Sequence, residues 1–216
     1  DGAFHCRHCR RAGSGVYVIT SKTMVFSPRF LDCTFRDGGY YNDWDFSPEV
    51  VASYLKACSE SGVSVLEMGF RFMSQGRFFG AHAYTTDDFL ASLPLPRGVA
   101  IAVMVNAKEM LAYAGGPAAA VDRLFSSRKK SPVALVRVAA HFTESQSSRP
   151  IAARLRELGY DVALNLMQAA GKPEVELTRL AADAASWGCV DVLYFADSLG
   201  NMDDAGVRRT VAALRR

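Results

Sequence analysis

The sequence predicts an α/β fold of repeated βα units, and three observations carry that prediction. Six short runs are apolar on successive positions rather than alternate ones, as in strands buried on both faces of a parallel sheet. Each run is followed by turn residues and an amphipathic stretch that closes on Gly or Pro. The runs begin at 29, 63, 99, 133, 160 and 190, a pitch of roughly 32 residues. Eight such units make a TIM (β/α)8 barrel of about 250 residues. The chain has 216 residues, so it reads as a barrel with about its first six units present. A complete doubly wound sheet of six strands is the competing reading. Against it, the first turn is Arg36-Asp37-Gly38-Gly39 and carries no GxGxxG cradle for a dinucleotide.

Taken in order, the strands are expected at 29–34, 63–69, 99–105, 133–139, 160–166 and 190–196. The helices are expected at 48–61, 85–92, 107–126, 144–158, 173–187 and 203–214. Ser47-Pro48-Glu49 opens the first helix, with proline at the first helical position, and Gly62 closes it. Thr143-Glu144 opens the fourth and Gly159 closes it; Lys172-Pro173-Glu174 opens the fifth and Gly188 closes it.

Half of the residues are hydrophobic and 22% are charged, the balance of a soluble domain with a sizeable core. No apolar run approaches the ~18 residues of a membrane span. The net charge of +3 arises in residues 1–23, where Arg7, Arg10, Arg11 and Lys22 face Asp1. The rest is neutral and offers no basic face for nucleic acid. That opening segment reads as a leader outside the working domain of 24–216: a translated upstream stretch or, being basic and poor in acids, a transit peptide. Cys6 and Cys9, beside His5 and His8, form one CxxC knuckle without a second pair to complete a zinc site. Cys33, Cys58 and Cys189 stand singly in apolar surroundings, which points to thiols in a reducing, cytoplasmic compartment.

Polar residues gather where the strands end, the face on which such barrels place their active sites. Arg36 and Asp37 follow strand one, Glu67 lies in strand two with Arg71 behind it, and Asn106 ends strand three. Arg137 and His141 belong to strand four, Asn165 and Gln168 to strand five, and Asp197-Ser198 follow strand six. Polar groups in apolar strands are costly when unpaired, so a shared end suggests a shared site. An acid able to hold a divalent ion, beside a cation able to hold an oxyanion, suits enolate chemistry. Single members have plainer roles open to them. Glu67 could complete an ion-pair network with Arg36 or Arg71, and Arg137 could bridge layers. His141 could be a core histidine, and Asp197 could cap the next turn.

The run Leu31-Asp32-Cys33-Thr34-Phe35-Arg36-Asp37-Gly38-Gly39 resembles the first-strand motif of the DRE-TIM metallolyases. That superfamily includes hydroxymethylglutaryl-CoA lyase, 4-hydroxy-2-oxovalerate aldolase, and the isopropylmalate and homocitrate synthases. Its Asp, Arg and Glu match Asp37, Arg36 and Glu67. Val136-Arg137-Val138-Ala139-Ala140-His141-Phe142-Thr143-Glu144 and Asp197-Ser198-Leu199-Gly200-Asn201-Met202 are similar to the fourth and sixth strands of the hydroxy-oxovalerate aldolases. Asn42-Asp43-Trp44-Asp45-Phe46, with Ala83-Tyr84-Thr85-Thr86-Asp87-Asp88-Phe89, resembles a less characterised aldolase-like branch.

The resemblance implies a metal-dependent lyase or aldolase working on a 2-oxo acid through a pyruvate-type enolate. It implies that Asp37 ligates Mg2+ or Mn2+, that Arg36 steadies the enolate oxygen, and that Glu67 orients Arg36 or binds a metal water. His141 takes a catalytic place in the pocket, and Asn165, Asp197 and Ser198 contact substrate. Tyr40 stands where the aldolases carry a histidine, and is assigned to proton transfer. The superfamily's His-x-His pair on strand seven has no match here, since the body of the chain holds only His82 and His141; that pair is expected beyond residue 216. An acyl-CoA-dependent Claisen-type synthase, a non-catalytic binding barrel and a phosphate-sugar barrel are the other readings. An open sheet edge also leads us to expect association into oligomers.

Overall fold

The computed structural model describes residues 29–197 and 199–216. The expected leader, with its Cys6-Cys9 knuckle, and Ser198 lie outside the described residues. The sheet has six parallel strands: β1 (Leu31–Asp32), β2 (Val65–Phe70), β3 (Ala100–Asn106), β4 (Val133–His141), β5 (Asp161–Met167) and β6 (Val192–Ala196). They pair strictly in sequence order. A doubly wound sheet places its first strand inside and reverses order around it. Sequential order therefore removes that reading. The sheet curls into an incomplete barrel with the helices outside.

Burial follows the pleat. On β4, Val136, Val138 and Ala140 join the core under the helices, while Leu135, Arg137, Ala139 and His141 take the inner parity. On β5, Val162, Leu164 and Leu166 go outward, leaving Ala163, Asn165 and Met167 inside. Leu66, Val136, Leu164 and Leu166 are all fully buried. Burying each such side chain contributes about 1.5–3 kcal/mol before conformational entropy is set against it.

The outer layer holds α2 (Pro48–Glu60), α5 (Pro117–Leu124), α6 (Arg149–Glu157), α7 (Glu174–Ser186) and α8 (Asp204–Leu214). Pro48 sits in the first turn of α2, and the Ser47 side chain accepts from the Val50 N–H as an N-cap. Two shorter helices follow the same chain order: α3 (Asp87–Ala91) lies between β2 and β3, and α4 (Ala107–Leu111) links β3 to α5. The single helix expected over 107–126 is two helices, because the Gly115-Gly116-Pro117 step interrupts it and Pro117 restarts it.

The first unit departs most from expectation. Strand one is only two residues long, and Thr34–Asn42 is a helix, α1. Arg36 and Asp37 thus lie on a helical turn rather than in a glycine turn. The Asp32 carboxylate starts that helix by accepting from the Thr34 N–H and hydroxyl, at 3.1 Å each, and from Tyr54 Oη at 2.9 Å. Gly38 and Gly39 disfavour a helix by roughly 1 kcal/mol each. Packing overrides that preference: a Cβ on Gly39 would stand 1.9 Å from the Trp44 indole. Helix α1 can lie against Trp44 only because residue 39 has no side chain.

Candidate active site

Five side chains form one chain of hydrogen bonds across the inner face. Glu67 on β2 is fully buried. Its Oε1 accepts from Arg36 Nε at 2.5 Å, and its Oε2 accepts from Arg137 Nη1 at 2.7 Å. Arg137 Nε donates to Tyr194 Oη on β6 at 2.6 Å. Arg36 in turn grips Asp37 end-on, with Nη1 2.7 Å from Oδ1 and Nη2 2.9 Å from Oδ2. The relay thus runs β6, β4, β2, α1. It holds two cations and two anions, so the cluster is neutral as a whole.

Burial pushes the Glu67 carboxyl up, and Arg137 and Arg36 pull it down. We assign Glu67 as ionised at neutral pH, because both of its oxygens accept charge-assisted bonds from guanidinium groups. Burial acts against the Arg36 charge, but Glu67 and Asp37 more than offset it and raise the pKa. Burial pushes the Tyr194 hydroxyl up to about 12, so it stays protonated. The Arg36 side chain is 14% exposed and Asp37 is 55% exposed. The network is therefore anchored in the interior and presents its Asp37 end to solvent.

Local backbone aims that end. The Trp44 indole N–H donates to the Arg36 carbonyl at 2.9 Å, and the Arg36 guanidinium lies 5.6 Å from the Phe70 ring. Asp43 and Trp44 both adopt positive φ, 54° and 59°, an unusual pair of left-handed residues without glycine. On the other side of α1, Phe35 stacks 4.5 Å from His82. His82 Nδ1 is bonded to the Met68 carbonyl at 2.6 Å, and burial depresses its pKa. A bulge at Gly69, with φ 148°, brings the His82 carbonyl to within 1.9 Å of where a Cβ would stand.

Among the described residues, none of the other expected side chains is hydrogen-bonded to this network. His141 follows Arg137 by four positions, about 13 Å along the strand, and its backbone N–H donates to Glu144. No hydrogen bond or ion pair joins it to Glu67 or Arg36 among the described residues. Asp197 accepts the N–H groups of Asn201 and Met202 at 3.0 and 2.8 Å, so it builds the turn after β6. Those bonds hold its carboxyl below the usual range. Asn165 is buried beside Tyr194 in the sheet register, and its Oδ1 has no partner among the described residues. Tyr40 is 63% exposed and sets its ring edge-on to Trp44. Burial and Asp37 raise its pKa while Arg36 opposes them, which moves it further from a neutral-pH shuttle.

Arg71 does not reach Glu67. It turns outward to the Thr85 and Leu124 carbonyls and to Asp87 at 2.6 Å. Tyr194 was missing from the expected site. Its inner parity on β6, opposite a mid-strand arginine two strands away, is the signal that could have found it.

The model of the HMGL-like family matches residues 27–216. The chain belongs to the HMGL-like family. The Arg36, Asp37 and Glu67 motif pointed to that superfamily, and this match supports it. The chain is 29% identical over 192 residues to the 4-hydroxy-2-oxovalerate aldolase of Thermomicrobium roseum, covering 87% of this chain and 51% of that protein. It is 26% identical over 190 residues to the aldolase of the same name from Pelotomaculum thermopropionicum, covering 87% and 53%. This HMGL-like chain thus spans about half the length of the curated relatives it matches. Its fold is similar to the N-terminal domain of a proposed aldolase from Bacteroides vulgatus, with a TM-score of 0.71 and 25% identity over 87% of this chain and 60% of that one. The carboxyl transferase domain of Rhizobium etli pyruvate carboxylase shares the fold, with a TM-score of 0.58 at 14% identity over 87% of this chain and 33% of that one.

Asp37 suits a hard divalent cation in kind, being an exposed carboxylate. It does not suffice in number. The described residues contain no group of three or more His, Cys, Asp or Glu that could hold a metal. Both Asp37 oxygens are also engaged by Arg36, and Cys33 Sγ donates to Oδ2 at 3.1 Å. These residues alone do not build a Mg2+ or Mn2+ site.

Proposed function

We propose that this chain carries the enolate-stabilising part of a carbon–carbon lyase, an aldolase that acts on a 4-hydroxy-2-oxo acid and releases a pyruvate-type 2-oxo acid. One observation carries the reading: an arginine held rigidly by a buried carboxylate at the C-terminal end of a parallel barrel sheet. The chain's family and its aldolase-named relatives support it.

In the retro-aldol direction the bond between C3 and C4 breaks. The C4 hydroxyl loses its proton and C4 leaves as an aldehyde carbonyl. The electron pair passes to C3 and through to the C2 oxygen, giving the enolate, which is then protonated at C3. In this reading Arg36 donates to the C2 oxygen as negative charge develops there. Its Nε is committed to Glu67, so the guanidinium needs no reorganisation during the reaction. The resemblance implies a divalent ion, which would supply Lewis-acid polarisation of the 2-oxo group. Asp37 is this chain's residue toward such an ion. Tyr40, one helical turn after Arg36, is assigned to the C4 proton, against the upward shift that burial gives its hydroxyl.

The test is Arg36→Lys in the full-length protein. A lysine point charge cannot bond Glu67, Asp37 and an oxyanion in one fixed plane. We expect kcat for pyruvate release to fall by about 10²–10³ while substrate KM changes little. Unchanged turnover would remove Arg36 from the chemistry.

A further inference from the structure

A cavity lies beside helix α1, and of the residues assigned to the chemistry above only Tyr40 lines it. It measures about 550 Å3 and lies at the C-terminal ends of β2 and β3. Its walls include Tyr40, Trp44, Phe72, Phe79 and Ala112. The aromatic rings pack edge to face: Trp44 stands 5.3 Å from Phe72, 5.4 Å from Phe79 and 4.9 Å from Tyr40. Charge at the rim cancels. Arg77 is paired with Asp43 at 2.8 Å, and Glu109 accepts from Gln75 and the Met73 N–H while Lys108 lies beside it. A neutral, apolar occupant therefore fits better than an ion.

Three residues join this cavity to the Arg36 site. Trp44 walls the cavity and also donates to the Arg36 carbonyl. Tyr40 lies one helical turn after Arg36 and lines the cavity, and Phe70 touches the rings of both Trp44 and Tyr40 while facing Arg36. The consecutive left-handed residues Asp43 and Trp44 are the backbone cost of putting that indole there. Strain of this kind persists where surrounding structure enforces it, and it clusters at ligand sites.

Building on the aldolase reading, we propose that this cavity is the subsite for the tail of the aldehyde partner, and that it selects aldehydes with an apolar alkyl or aryl chain. With the reacting carbonyl beside Arg36, the chain passes Tyr40 and lies on Trp44, Phe72 and Phe79. Each methylene buried there favours binding roughly fourfold.

The experiment uses the full-length protein and runs the reaction in the addition direction, with pyruvate and acetaldehyde, butanal, hexanal or 3-phenylpropanal. We expect kcat/KM to climb severalfold from acetaldehyde to hexanal. Ala112→Phe, which fills the cavity, should cut the hexanal-to-acetaldehyde ratio at least tenfold, and Phe79→Ala, which removes a wall, should lower the same ratio should Ala112→Phe not fold. Calorimetric binding of the unreactive 3-phenylpropan-1-ol, lost in the variant that folds, reads the cavity without any turnover. A flat aldehyde series in an active enzyme, or alcohol binding indifferent to both substitutions, would overturn the subsite. Binding of the alcohol by a protein that turns over no aldehyde would instead overturn the aldolase reading and leave the apolar ligand site standing.

Discussion

Glu67 holds the most consequential bonds in the molecule. It is a fully buried carboxylate with one guanidinium on each oxygen. Removing one partner of such an arrangement leaves buried charge without compensation. Glu67→Ala should therefore destabilise by about 3–5 kcal/mol, measured by urea denaturation. A loss under 1 kcal/mol would mean that water reaches Arg137 freely. Asp37 belongs to the same scale. It is one carboxylate already engaged by Arg36, so the 216-residue chain should bind Mn2+ only feebly in a spin-resonance titration. Tight stoichiometric Mn2+ binding that survives Asp37→Asn would place the ligands elsewhere.

Among the elements, the segment after β2 decides how α1 is seated. His82 sits in a cage of Phe35, Phe46 and Phe89, with Nε2 unpartnered among the described residues. Its folded pKa lies below the ordinary 6.5 because burial disfavours the charged ring. Between the folded and unfolded values the unfolded chain binds the extra proton. The stability that comes from keeping His82 neutral is thus complete above about pH 6.5 and is lost as pH falls toward the folded value. We expect the melting temperature to drop as pH falls from 7 toward 5, and His82→Phe to flatten that part of the profile. A slope unchanged by the substitution would assign it to other groups. Arg71 steadies the same segment through Thr85 and Asp87, and stacks 4.6 Å from the Phe125 ring.

At the scale of the whole molecule, β1 and β6 are the sheet's two edges, and β6 is only half-buried. The strand starts between them line an inner cavity of about 600 Å3 that reaches Arg137 and Tyr194. Parallel edges left unpaired among the described residues invite pairing with another chain. The 216-residue chain should therefore self-associate in analytical ultracentrifugation. A monodisperse, cooperatively unfolding monomer would show that these edges are satisfied within one copy. No helix among the described residues is long and apolar enough to cross a membrane.

Much of this was legible in one dimension. Apolar runs with glycine and proline punctuation located six strands and most of the helices, because strand burial and helix ends depend on neighbours a few residues apart. Glu67 was legible because a carboxylate is unusual in a strand that is otherwise apolar, and Arg36 and Asp37 because opposite charges follow the first apolar run. Three things were decided only in space. Sequential strand order chose the barrel over the doubly wound sheet, since both arrange the same units and differ only in which edges meet. Residues 34–42 became a helix despite Gly38 and Gly39, with the Trp44 indole packed where a Cβ on residue 39 would stand. Arg137 bonded Glu67, while Arg71 turned outward. The bulge at Gly69 set the facing direction of Phe70 and Arg71, and no local spacing encodes which face a side chain takes once the pleat is broken.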